Sequence, residues 1–327
     1  MKTLLLETDG HADRSINIAV KLLKKGCLVA IPTETVYGLA ANVFNDEAIR
    51  SIFNVKQRPI DNPLIVHIGS IDQARDVAAE LTDDFYTLAD SFFPGPLTIV
   101  MKKSPLVPLS VSAGLDSIGV RMPNHKITLE LIKRCGFPLA APSANISGYP
   151  SPTTAQHVLD DFNGDIAAVL DGGVCTVGME STVIMLEDDG FVLLRTGEIL
   201  IEEIEECIKK KSINKSLNQK IPRSPGVKYK HYSPQAEVVL VESMEKAKIL
   251  LNSRKLTAVL VENPENQNVN CEFVEDLNAQ QYYSSLRKFD KKGIQRIIVI
   301  LPTKNRNNLH LLDRIYKSAG ISYDGAV

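Results

Sequence analysis

The chain has 327 residues, 44% hydrophobic and 23% charged, which are the proportions of an ordinary globular protein and exclude a disordered or fibrous one. A formal net charge of −2 argues against a globally basic nucleic-acid or membrane binder. No run approaches the roughly 18 apolar residues of a membrane span, and the N-terminus shows no basic-then-apolar leader, so neither membrane insertion nor export is expected. Cys27, Cys135, Cys175, Cys207 and Cys271 are scattered without a C-x-x-C pair. An odd set without metal spacing fits buried or free thiols in a reducing compartment, so a cytoplasmic location is expected.

At this length two domains are expected. An amphipathic helix over 14–25 leads through Gly26, which suits a helix C-terminus, into a buried strand over 27–31. Asp46 is placed to cap a helix running to Val55, and a strand over 64–68 precedes helical patterns over 71–79 and 83–93. Pro94-Gly95-Pro96 then breaks the chain ahead of a strand over 97–101. Further strands are predicted over 117–121, 139–141, 167–170, 182–186 and 191–194, with helices over 128–135, 154–159 and 200–211. Strands interleaved with helices define an α/β domain over residues 1–211.

Over 212–234 the periodicity stops in a polar, Pro-containing stretch that reads as a linker. Its charges are all basic, which on composition alone fits a solvated tether. Beyond it, strands over 238–241, 257–261 and 296–301 alternate with helices over 244–251, 278–291 and 305–319. Residues 235–327 thus form a smaller doubly wound unit, an architecture that by itself implies no function.

The sequence contains no Walker phosphate loop, no G-x-G-x-x-G, no H-E-x-x-H and no G-x-S-x-G, and its six histidines lack zinc spacing. No protein-bound zinc or organic cofactor is expected. Four segments instead set small, hydroxyl-bearing or cationic residues against strand ends, where ligand sites of α/β sheets tend to lie. The first is PTETVYGL (32–39), with Thr35 and Tyr37, which also reads as a helix-capping turn. The second is KQRPIDNPLIVH (56–67), whose Lys56 and Arg58 suit a polyanion, the lysine as a point charge and the arginine as a fork. The third is PSANISG (142–148), a plausible anion nest containing Ser143 and Asn145. The fourth is GMESTV (178–183), followed by Arg195-Thr196-Gly197, while Arg121 ends another strand. Together they describe an electropositive cavity for a nucleotide and a small zwitterion, without a Ser–His or Cys–His nucleophile pair.

The ordered set PTETVYGL, K-x-R-P-x-x-N-P-L-I-V-H, G-P-L-T, R-M-P, APSAN-x-SG and G-x-ESTV resembles the YrdC-like family over residues 15–208. The linker sequence SPGVKYKHYSP (224–234) is similar to the two-domain subfamily with a C-terminal Rossmann-like domain. The resemblance implies a twisted mixed sheet in the first domain. It also implies a reaction: L-threonine, bicarbonate and ATP, with Mg²⁺, give threonylcarbamoyl-AMP and pyrophosphate. Downstream tRNA-modifying transferase proteins would then pass the threonylcarbamoyl group to adenosine. By motif match, Thr35, His67, Arg121, Ala141 and Ser181 would lie along the threonine site. Arg58, Asn62, Ser117, Ser143, Ser151, Arg195 and His231 would contact ATP. Lys56, Arg58 and Arg195 would stabilise the reacting phosphates, Tyr37 would supply an aromatic in the pocket, and the linker would close over it. Thr196 and Val227 stand where many members have Pro and Met, and neither replaces a side chain assigned to chemistry. A structured-RNA grip without ATP chemistry is the alternative, but no stable nucleic-acid binding is expected from the low net charge. Carbamoyl transfer in hydrogenase maturation would require cysteine clusters that this chain lacks.

Overall fold

The computed structural model describes residues 2–213, 232–252, 255–302 and 308–321. Most of the predicted linker, residues 214–231, lies outside them, and with it His231 and the expected closure over the pocket.

Among the described residues, ten strands form the larger sheet: β1 (Leu4–Glu7), β2 (Val29–Ile31), β3 (Gly38–Asn42), β4 (Ile65–His67), β5 (Leu97–Lys102), β6 (Ser117–Arg121), β7 (Leu139–Ala140), β8 (Ala168–Asp171), β9 (Thr182–Glu187) and β10 (Gly190–Arg195). Their order is β1-β8-β2-β3-β7-β4-β6-β5-β9-β10, and parallel and antiparallel pairs are mixed. Seven helices pack on it: α1 (Ala12–Lys24), α2 (Asp46–Lys56), α3 (Ala74–Val77), α4 (Asp83–Phe92), α5 (Lys126–Cys135), α6 (Ala155–Phe162) and α7 (Ile201–Ile208).

The pleat explains how both faces are filled. Val29 and Ile31 of β2 pack with Ile16, Ala19 and Leu23 of α1 and Leu131 of α5, whereas Ala30 faces the cluster built by α2, α4 and α6. A strand buried on both faces reads as a continuous apolar run, so CLVAI is recognisable in sequence.

Three strands escape the sequence reading. β1 is an edge strand with three of its four residues exposed, β3 (GLAAN) has no β-branched residue, and β13 (Phe273–Asp276) is a half-exposed edge. The helix after β3 is capped by Asn45, not by Asp46. Asn45 is extended (φ −98°, ψ 95°) and its Oδ1 accepts the Ala48 N–H at 3.0 Å. Asp46 already lies in the first turn, where it takes hydrogen bonds from Ser110 and Arg50.

The second sheet contains β11 (Glu237–Val241), β12 (Thr257–Val261), β13 and β14 (Arg296–Ile300) in the order β11-β14-β12-β13, all parallel. Helices α8 (Met244–Leu251), α9 (Tyr282–Lys291) and α10 (Leu309–Ser318) accompany it. It docks on the larger unit through a shared apolar cluster in which Val36 and Met179 pack with Tyr282, Tyr283 and Leu286. Arg287 of α9 reinforces the contact. It is 8% exposed, donates to the Pro150 carbonyl at 2.6 and 2.9 Å, and forks onto Asp161 at 2.8 and 3.0 Å.

Gly178 sits at this junction with φ +77°, and a Cβ there would lie 2.3 Å from the Gln280 carbonyl oxygen. Gly178→Ala therefore combines left-handed strain with an interdomain clash, and we expect a loss of about 1–3 kcal/mol or more. Calorimetric unfolding should show a melting temperature lowered by several degrees; an unchanged one would contradict this packing.

Candidate nucleotide and amino-acid site

The larger sheet is narrow at its centre. β7 has two residues and β4 three, about 7 to 10 Å of strand, so side chains from both sheet edges reach one cavity. The antiparallel pairs β2–β3, β3–β7 and β7–β4 reverse chain polarity there. The site is consequently lined from both ends of the strands and not only from their carboxyl ends, as the sequence reading expects.

Five segments build the wall. After β2, the Thr33 hydroxyl donates to the Val36 carbonyl at 2.6 Å and accepts the Thr35 and Val36 N–H groups at 3.2 and 3.1 Å. This turn presents Thr35 to the cavity. His67 and Arg121 face each other as register partners of the parallel pair β4–β6, which explains how two distant motifs meet. Arg121 Nε donates to the Gly95 carbonyl at 3.2 Å, and its Nη2 lies 2.8 Å from Glu34 Oε1, off the axis of a hydrogen bond. Lys56, at the end of α2, donates to the Ser143 and Asn145 carbonyls, both at 2.5 Å, and so holds the turn after β7. Arg58 Nε and Nη2 donate to the carbonyls of Asn62 and Pro63 at 3.1 and 2.9 Å. Arg195, ending β10, donates to the Ser181 carbonyl and hydroxyl, each at 3.0 Å.

The segments enclose a cleft that opens to solvent at its mouth. Thr35, Lys56, Arg58, His67, Arg121, Ala141, Ser143, Asn145, Ser151 and Arg195 all line it. Four other expected positions do not. Tyr37 is turned to the opposite side, since neighbours in an extended segment alternate and Val36 and Gly38 take the cavity side. Its hydroxyl donates to the Gly173 carbonyl at 2.7 Å, so it buttresses the turn and adds no ring to the pocket. Ser181 lies within the wall, its hydroxyl engaged by Thr98 at 2.8 Å and by Arg195. Ser117 begins β6 whereas Arg121 ends it, about 13 Å further along the strand. Asn62 is buried beside the loop of Arg58, and its Oδ1 has no hydrogen-bond partner among the described residues.

Sequence reasoning also missed Thr33, Ser147, Tyr149, Glu180 and Tyr232, which line the cavity, and Glu34 behind it. The available signal was an acid inside two otherwise neutral or cationic motifs, PTET and MEST. Glu180 accepts from Ser151 at 2.6 Å, from Tyr283 at 2.9 Å and from Arg314 at 3.1 Å. Burial raises its carboxyl pKa, but the charges of Arg314 and Arg195 outweigh burial and hold it at about 2. Burial and the neighbouring Arg58 keep the Lys56 ammonium well below its ordinary value. Burial and Arg121 push His67 down to about 3, so its imidazole is neutral, and Nδ1 is buried with no hydrogen-bond partner among the described residues.

The candidate site is thus a cationic cleft on a mixed α/β sheet, with hydroxyls and a neutral imidazole at one side. Comparisons with known proteins identify the family. Residues 21–197 match the Sua5/YciO/YrdC family, described as "Telomere recombination", and residues 199–320 match "Threonylcarbamoyl-AMP synthase, C-terminal domain". The chain is 41% identical over 321 residues to the threonylcarbamoyl-AMP synthase of Pyrococcus abyssi (strain GE5 / Orsay), covering 93% of this chain and 94% of that one. It is 40% identical over 326 residues to the protein of that name from Bacillus subtilis (strain 168), covering 94% of each. The crystal structure of P. abyssi Sua5 complexed with L-threonine matches with a TM-score of 0.88 at 38% identity, over 99% of this chain and 100% of that one. The chain belongs to the Sua5/YciO/YrdC family, in the form that carries the Sua5 C-terminal domain.

The neutral histidines make a pH prediction. Free imidazoles titrate near 6.5, whereas His67 is held at about 3 and His157 and His310 at about 4 by burial and neighbouring arginines. As pH falls below about 6.5 the unfolded chain binds protons that the folded chain refuses, so stability drops on acidification. Urea unfolding between about pH 7 and 5 should show this slope, and His67→Gln should remove about one proton's share of it. A slope unaffected by the replacement would mean that His67 titrates normally in the folded protein.

Proposed function

We infer that the chain is an enzyme that condenses L-threonine, bicarbonate and ATP into threonylcarbamoyl-AMP and pyrophosphate for threonylcarbamoyladenosine modification of tRNA. The observation that carries this reading is the convergence of Lys56, Arg58, Arg121 and Arg195 with Thr35, His67, Ser143 and Ser151 in one cleft. The relatives that share this layout over nearly their whole length are named for that product, and the P. abyssi relative has been solved with L-threonine. Nothing comparable favours an RNA grip without ATP chemistry.

The threonine carboxylate fits the Arg121 fork, with the neutral His67 able to donate one N–H, while Thr35 and Ala141 border the side chain. The threonine amine attacks the carbon of bicarbonate, and loss of water leaves an N-carboxylate. One oxygen of that carbamate attacks the α-phosphorus as the bond to the β-phosphate oxygen breaks, and pyrophosphate departs with the electron pair. Arg58 and Arg195 face the accumulating negative charge, and Lys56, with two of its three N–H donors engaged by carbonyls, has one left to offer. Ser143 and Ser151 border the same cleft and are the further ATP contacts. Tyr37 and Asn145 support the site from behind, Asn145 by donating to the Ile146 and Tyr149 carbonyls, both at 2.9 Å.

Mg²⁺ enters as part of the substrate MgATP, carried by phosphate oxygens and water. The carboxylates nearest the cleft, Glu34 and Glu180, are already committed to arginines. The product, a hydrolysable mixed anhydride, is suited to rapid hand-over to a tRNA-modifying transferase. The five free thiols support a cytoplasmic location, and among the described residues no helix is long and apolar enough to cross a membrane.

Pyrophosphate release from ATP, with and without L-threonine and bicarbonate, tests the assignment. Release should require both co-substrates, and Arg58→Ala should lower kcat/KM by about 100-fold or more, the scale of losing one preorganised charge at the reacting phosphate. ATP turnover that ignores threonine would defeat the reading.

A further inference from the structure

The chemistry described so far belongs to the first unit, yet a guanidinium of the second unit reaches the back of the same cleft at three points. Arg314 of α10 is fully buried. Its Nε donates to Glu180 Oε2 at 3.1 Å, its Nη2 donates to the Thr196 carbonyl at 2.9 Å, and the guanidinium lies 5.4 Å from the centre of the Tyr232 ring. Glu180 and Tyr232 line the cleft, and Thr196 directly follows Arg195, which also lines it. Tyr283 of α9 donates to the same Oε2 at 2.9 Å, which leaves Oε1 for the Ser151 hydroxyl at 2.6 Å. Asp313 pairs with the remaining side of the guanidinium.

We propose that Arg314 is a positioning residue for the nucleotide half of the cleft, acting through Glu180 on Ser151 and through Thr196 on Arg195. The inference rests on the nucleotide reading of the cleft given above. Its physical core is competition for Glu180. A buried carboxylate must be paired, and Arg195 is the other guanidinium whose charge it already feels. With Arg314 in place, Glu180 is satisfied from behind and Arg195 keeps its place on the Ser181 carbonyl and hydroxyl. Without it, Glu180 turns to Arg195 and withdraws a cation from the nucleotide. The threonine half is insulated from this exchange, because Arg121 is held by the Gly95 carbonyl and Glu34, neither of which Arg314 touches.

Calorimetric titration of the full chain with MgATP and, separately, with L-threonine tests the proposal alongside thermal unfolding. R314Q should weaken MgATP binding by about tenfold or more, the scale of one charge-assisted hydrogen bond, while L-threonine binding stays within about twofold. R314K, which restores the charge beside Glu180, should recover a large part of the MgATP affinity. A folded R314Q with wild-type MgATP affinity overturns the proposal, as does equal weakening of both ligands, which marks general loosening. Should R314Q fail to fold, Y283F decides, since it removes a donor from the same oxygen at little cost in volume. A MgATP affinity lowered by about threefold with threonine unaffected supports the proposal, and an unchanged one overturns it. A wild-type chain that binds MgATP yet releases no pyrophosphate would defeat the synthase reading and leave the Arg314 result standing.

Discussion

The arrangement of the cleft depends on keeping one buried carboxylate ionised and fully paired. Glu180 begins the segment that becomes β9, and its neighbour Ser181 supplies both oxygens that aim Arg195. Removing a single partner from such a charge typically costs about 3–5 kcal/mol, because the remaining ion is left uncompensated in a low-dielectric surrounding. Three donors from three parts of the chain prevent that here, namely Ser151, Tyr283 and Arg314. The position of β9's first residues, the direction of the Arg195 fork and the docking of the second sheet are therefore coupled through two oxygen atoms.

The cations of the cleft are oriented mainly by neutral acceptors. Lys56 is aimed by two carbonyls, Arg58 by two and Arg195 by one carbonyl together with a hydroxyl. A carbonyl dipole fixes direction without cancelling charge, so the positive potential of the cleft survives. Burying these groups opposes folding, and the lowered Lys56 pKa expresses that opposition. A preorganised positive site of this kind does not have to reorient dipoles when negative charge builds up in it. Arg121 is treated differently, since Glu34 sits 2.8 Å behind it. A half-neutralised guanidinium suits a singly charged amino-acid carboxylate better than it suits a polyphosphate, which matches the division of the cleft into two halves.

This architecture is unevenly legible in the sequence. Strands buried on both faces, such as β2 and β9, stand out as apolar runs, and helices such as α1 and α5 announce themselves by spacing and by flanking glycine. The edge strands β1 and β13 do not, because exposure erases the apolar pattern that identifies a strand. Ten of the expected site residues converge because their motifs sit at turns beside the short central strands. The misplacements have geometric causes that composition cannot reveal. Tyr37 is on the wrong side of an alternating segment, Ser117 is at the wrong end of its strand, and the Ser181 hydroxyl is engaged inside the wall. Glu180 was invisible for a different reason. A lone acid in an otherwise neutral motif carries no specific signal until the partner guanidinium, carried by α10, is brought to it by tertiary folding.

That long-range partner is one of several contacts that dock the second unit. An apolar patch around Val36, Met179 and Tyr283, the Arg287 fork and the Arg314 contact form the heart of the junction. As separate molecules, two units joined by such contacts would lose part of their binding energy to the entropy of association. As one chain they dock intramolecularly, so a few well-buried anchors suffice. Arg314 and Gly178 both lie at this junction. A change at Arg314 or Gly178 is therefore felt at the cleft, even though neither residue has an atom positioned to touch a substrate.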